Sequence, residues 1–278
     1  MTQDPTQSIR LAKAVSDLRG CSRRDAEHYI AGGWVTVDGV VVEQPNYRVD
    51  GQKVVVDPAA NLKPLAPVTI LFNKPAGYDF GLTQALHASL TRRPAKDAKD
   101  TKDQPTQALT PEQQDLLEHD ALQLITPESQ AKDDRSTIRV LRSHFHNLIP
   151  TLPLESAASG LVVYTQDRSI ARKLIDDASR VEQEFSVNVS GTLSDDDLKR
   201  LNQGFYSHGV LLPAAKVSWQ NEQHLRIALK NVQLDQIETM CQAVGLQVLG
   251  LRRLRIGRLS MAKLAVGEWR YLMPYEKF

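Results

Sequence analysis

The chain has 278 residues, 41% of them hydrophobic and 24% charged, with 34 basic against 33 acidic side chains. That is enough chain for one large or two ordinary domains with a real core, and the near-neutral balance excludes a global field that would gather nucleic acid, so any basic footprint must be local. Cys21 and Cys241 lie far apart without CxxC spacing, and no apolar run reaches membrane-spanning length; a disulfide framework, a thiolate zinc site and a membrane partner are therefore not expected, and a reducing cytoplasm is.

In chain order, Leu11, Val15 and Leu18 fall at i, i+4 and i+7 and predict a helix that Gly20 closes. Ser22, with Asp25 three residues on, predicts the start of a second helix by the capping-box spacing. Arg23 and Arg24 occupy its first turn, where cations oppose the helix dipole by roughly 0.3–1 kcal/mol each. A bound phosphate would compensate, because free N–H groups at a helix start favour an anion; a solvated, salt-screened pair is the other reading. Trp34 to Val42 reads as strand, Asp38-Gly39 turn and strand, and Val49 to Val56 as a second hairpin-like element. Two helices followed by a small sheet, with Ser-Arg-Arg-Asp-Ala at the second helix, resemble the S4-type RNA-binding domain over residues 8–57. That resemblance implies RNA contacts from Arg10, Lys13, Arg19, Arg23 and Arg24. Asp38 stands where asparagine usually precedes the glycine, and Gly33-Trp34 replaces a basic residue of the preceding turn.

Pro58, Pro64 and Pro67 mark residues 58–67 as a linker. Val68 to Phe72 is a buried strand, ended by Asn73-Lys74-Pro75-Ala76-Gly77. From about 87 to 135 the pattern fails: Lys-Asp repeats, scattered Pro and Gln and few aromatics describe an insertion unable to bury enough surface to order itself. His144 and His146 lie in a mixed apolar and basic stretch with no carboxylate or cysteine at ligand spacing, so no metal is expected.

Leu152 to Asp167 is the most informative stretch: a turn carrying Glu155, then Gly160, a short apolar strand, and Asp167 as a helix N-cap. Ile170, Leu174, Ile175 and Ala178 give the following helix its apolar face, and Val181 to Val189 alternates as a half-buried strand. Ser194 with Asp197 starts another helix that Gly204 ends. Leu225, Ile227 and Leu229 alternate again, Leu234, Ile237, Cys241 and Val244 stripe a helix that Gly245 stops, and Leu246 to Arg258 is a strand region with four arginines. The stretch 152–167 resembles the active-site segment of ribosomal RNA pseudouridine synthases with an N-terminal S4-type domain. That family carries Gly-Arg-Leu-Asp, two residues, Thr, one residue, Gly-Leu, three apolar residues and Thr-Asn-Asp. Leu154, Gly160, Leu161, Thr165 and Asp167 match, as do the Asn73 to Gly77 segment and the closing Gly267-Glu268-Trp269-Arg270.

The resemblance implies an isomerase acting on rRNA without metal or cofactor. An aspartate serves as nucleophile or base, an arginine beside it keeps it ionised, and a tyrosine stacks on the extruded uracil. Here the aspartate position is Glu155, the arginine position is Pro153, and the tyrosine position is Phe185; Lys74 is a secondary RNA contact. The added methylene moves the carboxylate by about 1 Å, enough to cost on the order of 10²-fold in rate. The family's Asn-Arg-Gln-Ile-Arg-Arg-Met reads Leu234-Asp235-Gln236-Ile237-Glu238-Thr239-Met240, so its three arginines are gone and two positions are acids.

The expected fold class is α+β: a small S4-type αα-β domain over 8–57, the linker 58–67, and a pseudouridine-synthase-like domain over 68–278. The latter is a mixed or antiparallel sheet with flanking helices, interrupted by the 87–135 insertion. The expected function is that of a bacterial, cytoplasmic RNA-binding protein, on ribosomal RNA and not DNA, whose site is degenerate, a pseudoenzyme. The alternative is an active synthase with Glu155 as its carboxylate.

Overall fold

A computed structural model describes residues 8–81, 118–207 and 209–278. Contacts divide the chain into two units: residues up to Pro67 together with Thr137–Asn147, and the remainder.

In the first unit, β1 (Ile9–Arg10) leads into α1 (Leu11–Arg19) and α2 (Arg23–Ala31). Gly20 ends α1 in the left-handed conformation, φ 62°, and Ser22 Oγ accepts the Asp25 N–H at 3.1 Å, as the spacing predicts. Leu11, Ala12, Val15, Ala26 and Ile30 form the core with Val35, Val37 and Val49, whereas Leu18 is 57% exposed. The apolar stripe of α1 is thus narrower than its sequence suggests, with Ala12 inside in place of Leu18. β2 (Val35–Val37), β3 (Val40–Val41) and β5 (Val54–Val56) make a three-stranded sheet in the order β3-β2-β5, turned at Asp38-Gly39, where both residues have positive φ. The second hairpin expected at 49–56 does not form: β4 (Arg48–Val49) pairs with β1 and β5 pairs with β2.

Residues 137–147, grouped by their pattern with the second domain, pack with the first unit. The Arg139 guanidinium lies 4.1 Å from the centre of the Trp34 ring, donates to Gly33 O, and bonds Asp57 Oδ2 at 3.1 Å. Leu141 is buried, and the Arg142 N–H donates to Glu43 Oε2 at 2.8 Å. A cation over an indole with a carboxylate partner is the physical reason for this docking, and it accounts for Trp34 in place of a basic residue.

The second unit is built on a nine-stranded mixed sheet. Its strands are β6 (Thr69–Lys74), β7 (Ile149–Pro150), β8 (Ser159–Thr165), β9 (Glu182–Ser190), β12 (Lys216–Trp219), β13 (His224–Lys230), β14 (Gln247–Ile256), β15 (Leu259–Ser260) and β16 (Trp269–Tyr271). They run β12-β13-β9-β14-β8-β6-β16, with β7 on β8 and β15 on β14, and only the β14–β8 pair is parallel. A separate hairpin, β10 (Phe205–Ser207) with β11 (Val210–Leu212), lies apart from this sheet. The helices are α3 (Arg168–Ile175), α4 (Asp195–Gln203) and α5 (Gln236–Gln242). Asp167 and Ser194 start α3 and α4 by accepting backbone N–H groups, as expected. Ile175 and Leu234, expected on buried faces, are exposed, and Ala171 and Met240 are buried instead. The S4-type unit and this mixed α+β sheet bear out the fold class read from the sequence.

The expected insertion lies outside the described residues from 87 to 117, but its last part, 118–135, is ordered, against the compositional reading. Trp269 Nε1–H donates to Thr126 O at 2.6 Å, the Ala131 N–H to Trp269 O at 2.8 Å, and the Tyr271 N–H to Asp134 Oδ2 at 3.0 Å. The segment satisfies the outer edge of β16, so borrowed backbone partners order it where its own composition would not.

Candidate functional site

Glu155 lies on the turn before β8, half-buried, at a cavity of about 240 Å³ lined also by Ala157, Ala158, Asp235, Glu238 and residues 248–251 of β14. The β14 wall is a β-bulge, where the pairing with β9 shifts between Val248 and Gly250; a bulge re-aims a strand locally, which here opens room beside the sheet. Glu155 Oε1 accepts the backbone N–H of Asp235 at 3.0 Å. Asp235 itself has φ 60°, a left-handed conformation that aspartate tolerates better than most residues. Three carboxylates therefore share one cavity.

Beneath the Glu155 turn sit two buried cations. Lys74, at the end of β6, is 0% exposed and its ammonium donates to Tyr78 O at 2.6 Å, Ala158 O at 2.7 Å, Pro75 O at 3.1 Å and Ser156 O at 3.2 Å. Burial pulls its pKa down to about 8, partly offset by the charges of Asp79 and Glu155. Lys74 is thus committed to the carbonyls of its own turn and of Ser156 and Ala158 just after Glu155, and is not placed to meet RNA, contrary to its expected role. Arg253, from β14, is also 0% exposed. It donates from Nε to Leu161 O at 2.7 Å, from one terminal nitrogen to Pro153 O and Gln183 Oε1 at 2.9 Å each, and from the other to Leu152 O at 3.1 Å. Burial lowers it to about 10, with the Glu155 charge the leading opposing effect. Position 153 itself is a proline, and its carbonyl is one of the oxygens that Arg253 binds. The strand neighbour of Arg253, Gly160, must be glycine: φ is +112°, and a Cβ there would lie 2.3 Å from Arg253 O.

Phe185 is 1% exposed and pairs across strands with Arg253 and Ile227. It does not line the cavity beside Glu155, and its packing is that of a core aromatic. Next to it Glu184 binds Arg226 at 2.6 Å and Arg255 at 2.8 Å, while Glu182 binds Lys216 at 2.7 Å and Arg255 at 2.8 Å. The arginines of β14 and of the turn after it are therefore divided: Arg253 is buried, Arg255 is paired, and Arg252 and Arg258 are exposed. No cluster of three or more His, Cys, Asp or Glu among the described residues has the geometry of a metal site.

In the first unit, Arg10, Lys13, Arg23 and Arg48 line one groove of about 480 Å³ with Ser8, Ile9 and Ser16. Arg48, which the sequence did not single out, is brought there by the β1–β4 pairing and donates to Ser8 O at 3.1 Å. Arg23 also makes an exposed pair with Glu27 at 3.1 Å. Arg24 is exposed but does not line this groove. Arg19, also outside it, lies 5.9 Å from the Tyr29 ring centre and donates to Asp57 O at 3.2 Å. Among the described residues, no helix is long and apolar enough to cross a membrane.

A model of the S4 domain family matches residues 9–55. An uncharacterized RNA pseudouridine synthase of Aquifex aeolicus (strain VF5) is 27% identical over 274 residues, covering 96% of this chain and 94% of that protein. The dual-specificity RNA pseudouridine synthase RluF of Escherichia coli (strain K12) is 24% identical, covering 98% of this chain and 78% of that one. Among solved structures, a pseudouridylate synthase superposes with a TM-score of 0.53 at 17% identity over 96% of both chains, a likeness of fold. Residues 9–55 match the S4 domain, and the chain as a whole is homologous to RNA pseudouridine synthases and similar in fold to a solved pseudouridylate synthase.

Proposed function

We propose that the protein binds structured RNA, ribosomal RNA foremost, through its S4 unit, and that its pseudouridine-synthase site has lost catalysis. The observation that carries this reading is the cavity itself: Glu155 stands at the carboxylate position with Asp235 and Glu238 beside it. Three acidic side chains around a cavity repel the phosphates of an incoming nucleotide. Glu155 is moreover held by the Asp235 N–H, which draws it toward the acidic helix start. Phe185, lacking a hydroxyl, lies in the core outside the cavity.

A second reading has its own support. Lys74 and Arg253 place two positive charges under the Glu155 turn, and the cavity is open, so Glu155 is neither isolated from cations nor sealed off. On that reading the protein is an active synthase with Glu155 as nucleophile or base.

Release of tritium from carbon-5-labelled uridine in ribosomal RNA separates the two. Under the first reading wild type and Glu155→Asp are both inactive, since shortening the side chain leaves Asp235 and Glu238 in place. Turnover by wild type that Glu155→Gln abolishes would establish the second.

A further inference from the structure

One cavity belongs neither to the Glu155 site nor to the S4 groove. It is an open groove of about 720 Å³ in the second unit, where three separate segments converge. Helix α3 contributes Arg168, Arg172 and Lys173, the turn before β9 contributes Arg180, and the turn between β14 and β15 contributes Arg258. All five are exposed. The acids that line the groove are Asp177 and Glu182, and Glu182 is already taken by Lys216 and Arg255. Arg172 has an exposed contact with Asp176 at 3.9 Å, too long and too wet to neutralise it.

The local sequence works against this arrangement in the folded protein alone. Arg168 and Arg172 stand at i and i+4, where like charges repel, and Arg168 occupies the first turn of α3, against the helix dipole. The start of α3 is already satisfied by Asp167, so an anion bound here is recognised by side chains, not by free N–H groups. Four of the five cations are arginines, whose planar forks match phosphate oxygens, and the half-buried Phe278 with Val181 supplies apolar surface between them. Guanidinium groups around a concave groove with a ring at its side suit an RNA strand, whose phosphates pair while a base stacks.

We propose that this groove is a second RNA-binding site, which holds a segment of the RNA backbone outside the Glu155 cavity. The proposal rests on the RNA-binding reading above and adds to it a surface on the second unit. The test is fluorescence anisotropy of the full chain with a labelled RNA hairpin, titrated over a range of salt. Arg172→Glu with Lys173→Glu weakens binding and flattens the dependence of log K on log salt by about 1.4, two contacts at about 0.7 each. The neutral pair Arg172→Gln with Lys173→Gln moves affinity in the same direction by a smaller amount, and circular dichroism confirms that both variants fold. Arg10→Glu with Lys13→Glu, in the S4 groove, serves as the independent comparison. If wild type binds the hairpin, the S4 variant loses affinity, and both α3 variants keep the wild-type constant and slope, the second site does not exist while the RNA-binding reading stands. If wild type binds no RNA, both fall together.

Discussion

The S4 groove and the Glu155 cavity handle charge in opposite ways. The groove collects Arg10, Lys13, Arg23 and Arg48 at the surface, over a core of packed apolar side chains. The cavity presents carboxylates to solvent and keeps its cations, Lys74 and Arg253, buried below. Exposed cations cost little to fold and are free to exchange counterions for phosphates. Buried ones are tolerable only because carbonyl oxygens surround them, and they then fix the backbone that surrounds them. The comparison separates two properties: substitutions in the groove should change RNA affinity and spare stability, and substitutions under the cavity should do the reverse.

The largest expected effects are therefore under the cavity. Arg253→Met strands the Leu152, Pro153 and Leu161 carbonyls and Gln183, and should destabilise the second unit by about 3–5 kcal/mol in urea denaturation. Gly160→Ala should cost about 3 kcal/mol or more, since it adds both a disfavoured φ and a backbone collision at Arg253. A loss under 1 kcal/mol in either would mean that the buried cation does not organise the turn. Next comes the groove: Arg10→Glu with Lys13→Glu should weaken RNA binding by about 2 kcal/mol, near thirtyfold, with the melting temperature unchanged. Arg24→Glu should do markedly less, because Arg24 lies outside the groove. Equal losses would return RNA contact to the whole helix start.

Most of the scaffold was legible in the sequence because it rests on local signals: the Ser22, Asp167 and Ser194 caps, the Asp38-Gly39 turn, and the period-2 strands. What was not legible depends on contacts across long stretches of chain. Arg253 reads as one of four arginines on a basic strand, and only the sheet order, which sets it against Gly160, shows that it is buried under Glu155. Lys74 sits in a motif that suggests RNA contact, yet four carbonyls enclose it. Arg48 reaches the groove through a two-residue strand too short to read as a pairing. Residues 118–135 look unable to order themselves because their partners, Trp269 and Tyr271, lie at the far end of the sequence.

A smaller effect should appear in acid. Hydrogen bonds from Lys216 and then Arg255 hold Glu182 down to about 2 from the usual 4.5. A carboxylate with a depressed folded pKa contributes stability that is fully present above pH 4.5 and is lost as the pH falls through about 2. The shift corresponds to at most about 3 kcal/mol, and with Lys216 largely solvated about 1–2 kcal/mol is expected. Glu182→Gln should flatten the stability profile across that window by this amount. A profile as steep as wild type would assign the acid sensitivity to other carboxylates.

The smallest expected effect tests the acidic character of the cavity. If Asp235 and Glu238 hold RNA away from Glu155, removing their charges without changing their shape should raise RNA affinity. Asparagine keeps the left-handed conformation that Asp235 adopts, and glutamine at 238 retains the side-chain length and the hydrogen-bonding oxygen that Gln242 uses at 3.0 Å. The Asp235 N–H to Glu155 bond belongs to the backbone and survives both changes. Both charges are solvent-exposed, so each contributes only a fraction of a kcal/mol at ordinary salt. Asp235→Asn with Glu238→Gln should therefore tighten RNA binding about two- to fivefold at low salt, with the gain fading above physiological ionic strength. The same variant assayed for tritium release separates repulsion from chemistry. Tighter binding with no turnover would mean that the acids kept RNA out of a site that cannot react. Tighter binding with turnover would make Glu155 a competent carboxylate that its neighbours had shielded. No change in affinity at low salt would mean that RNA bound to the protein does not approach this cavity.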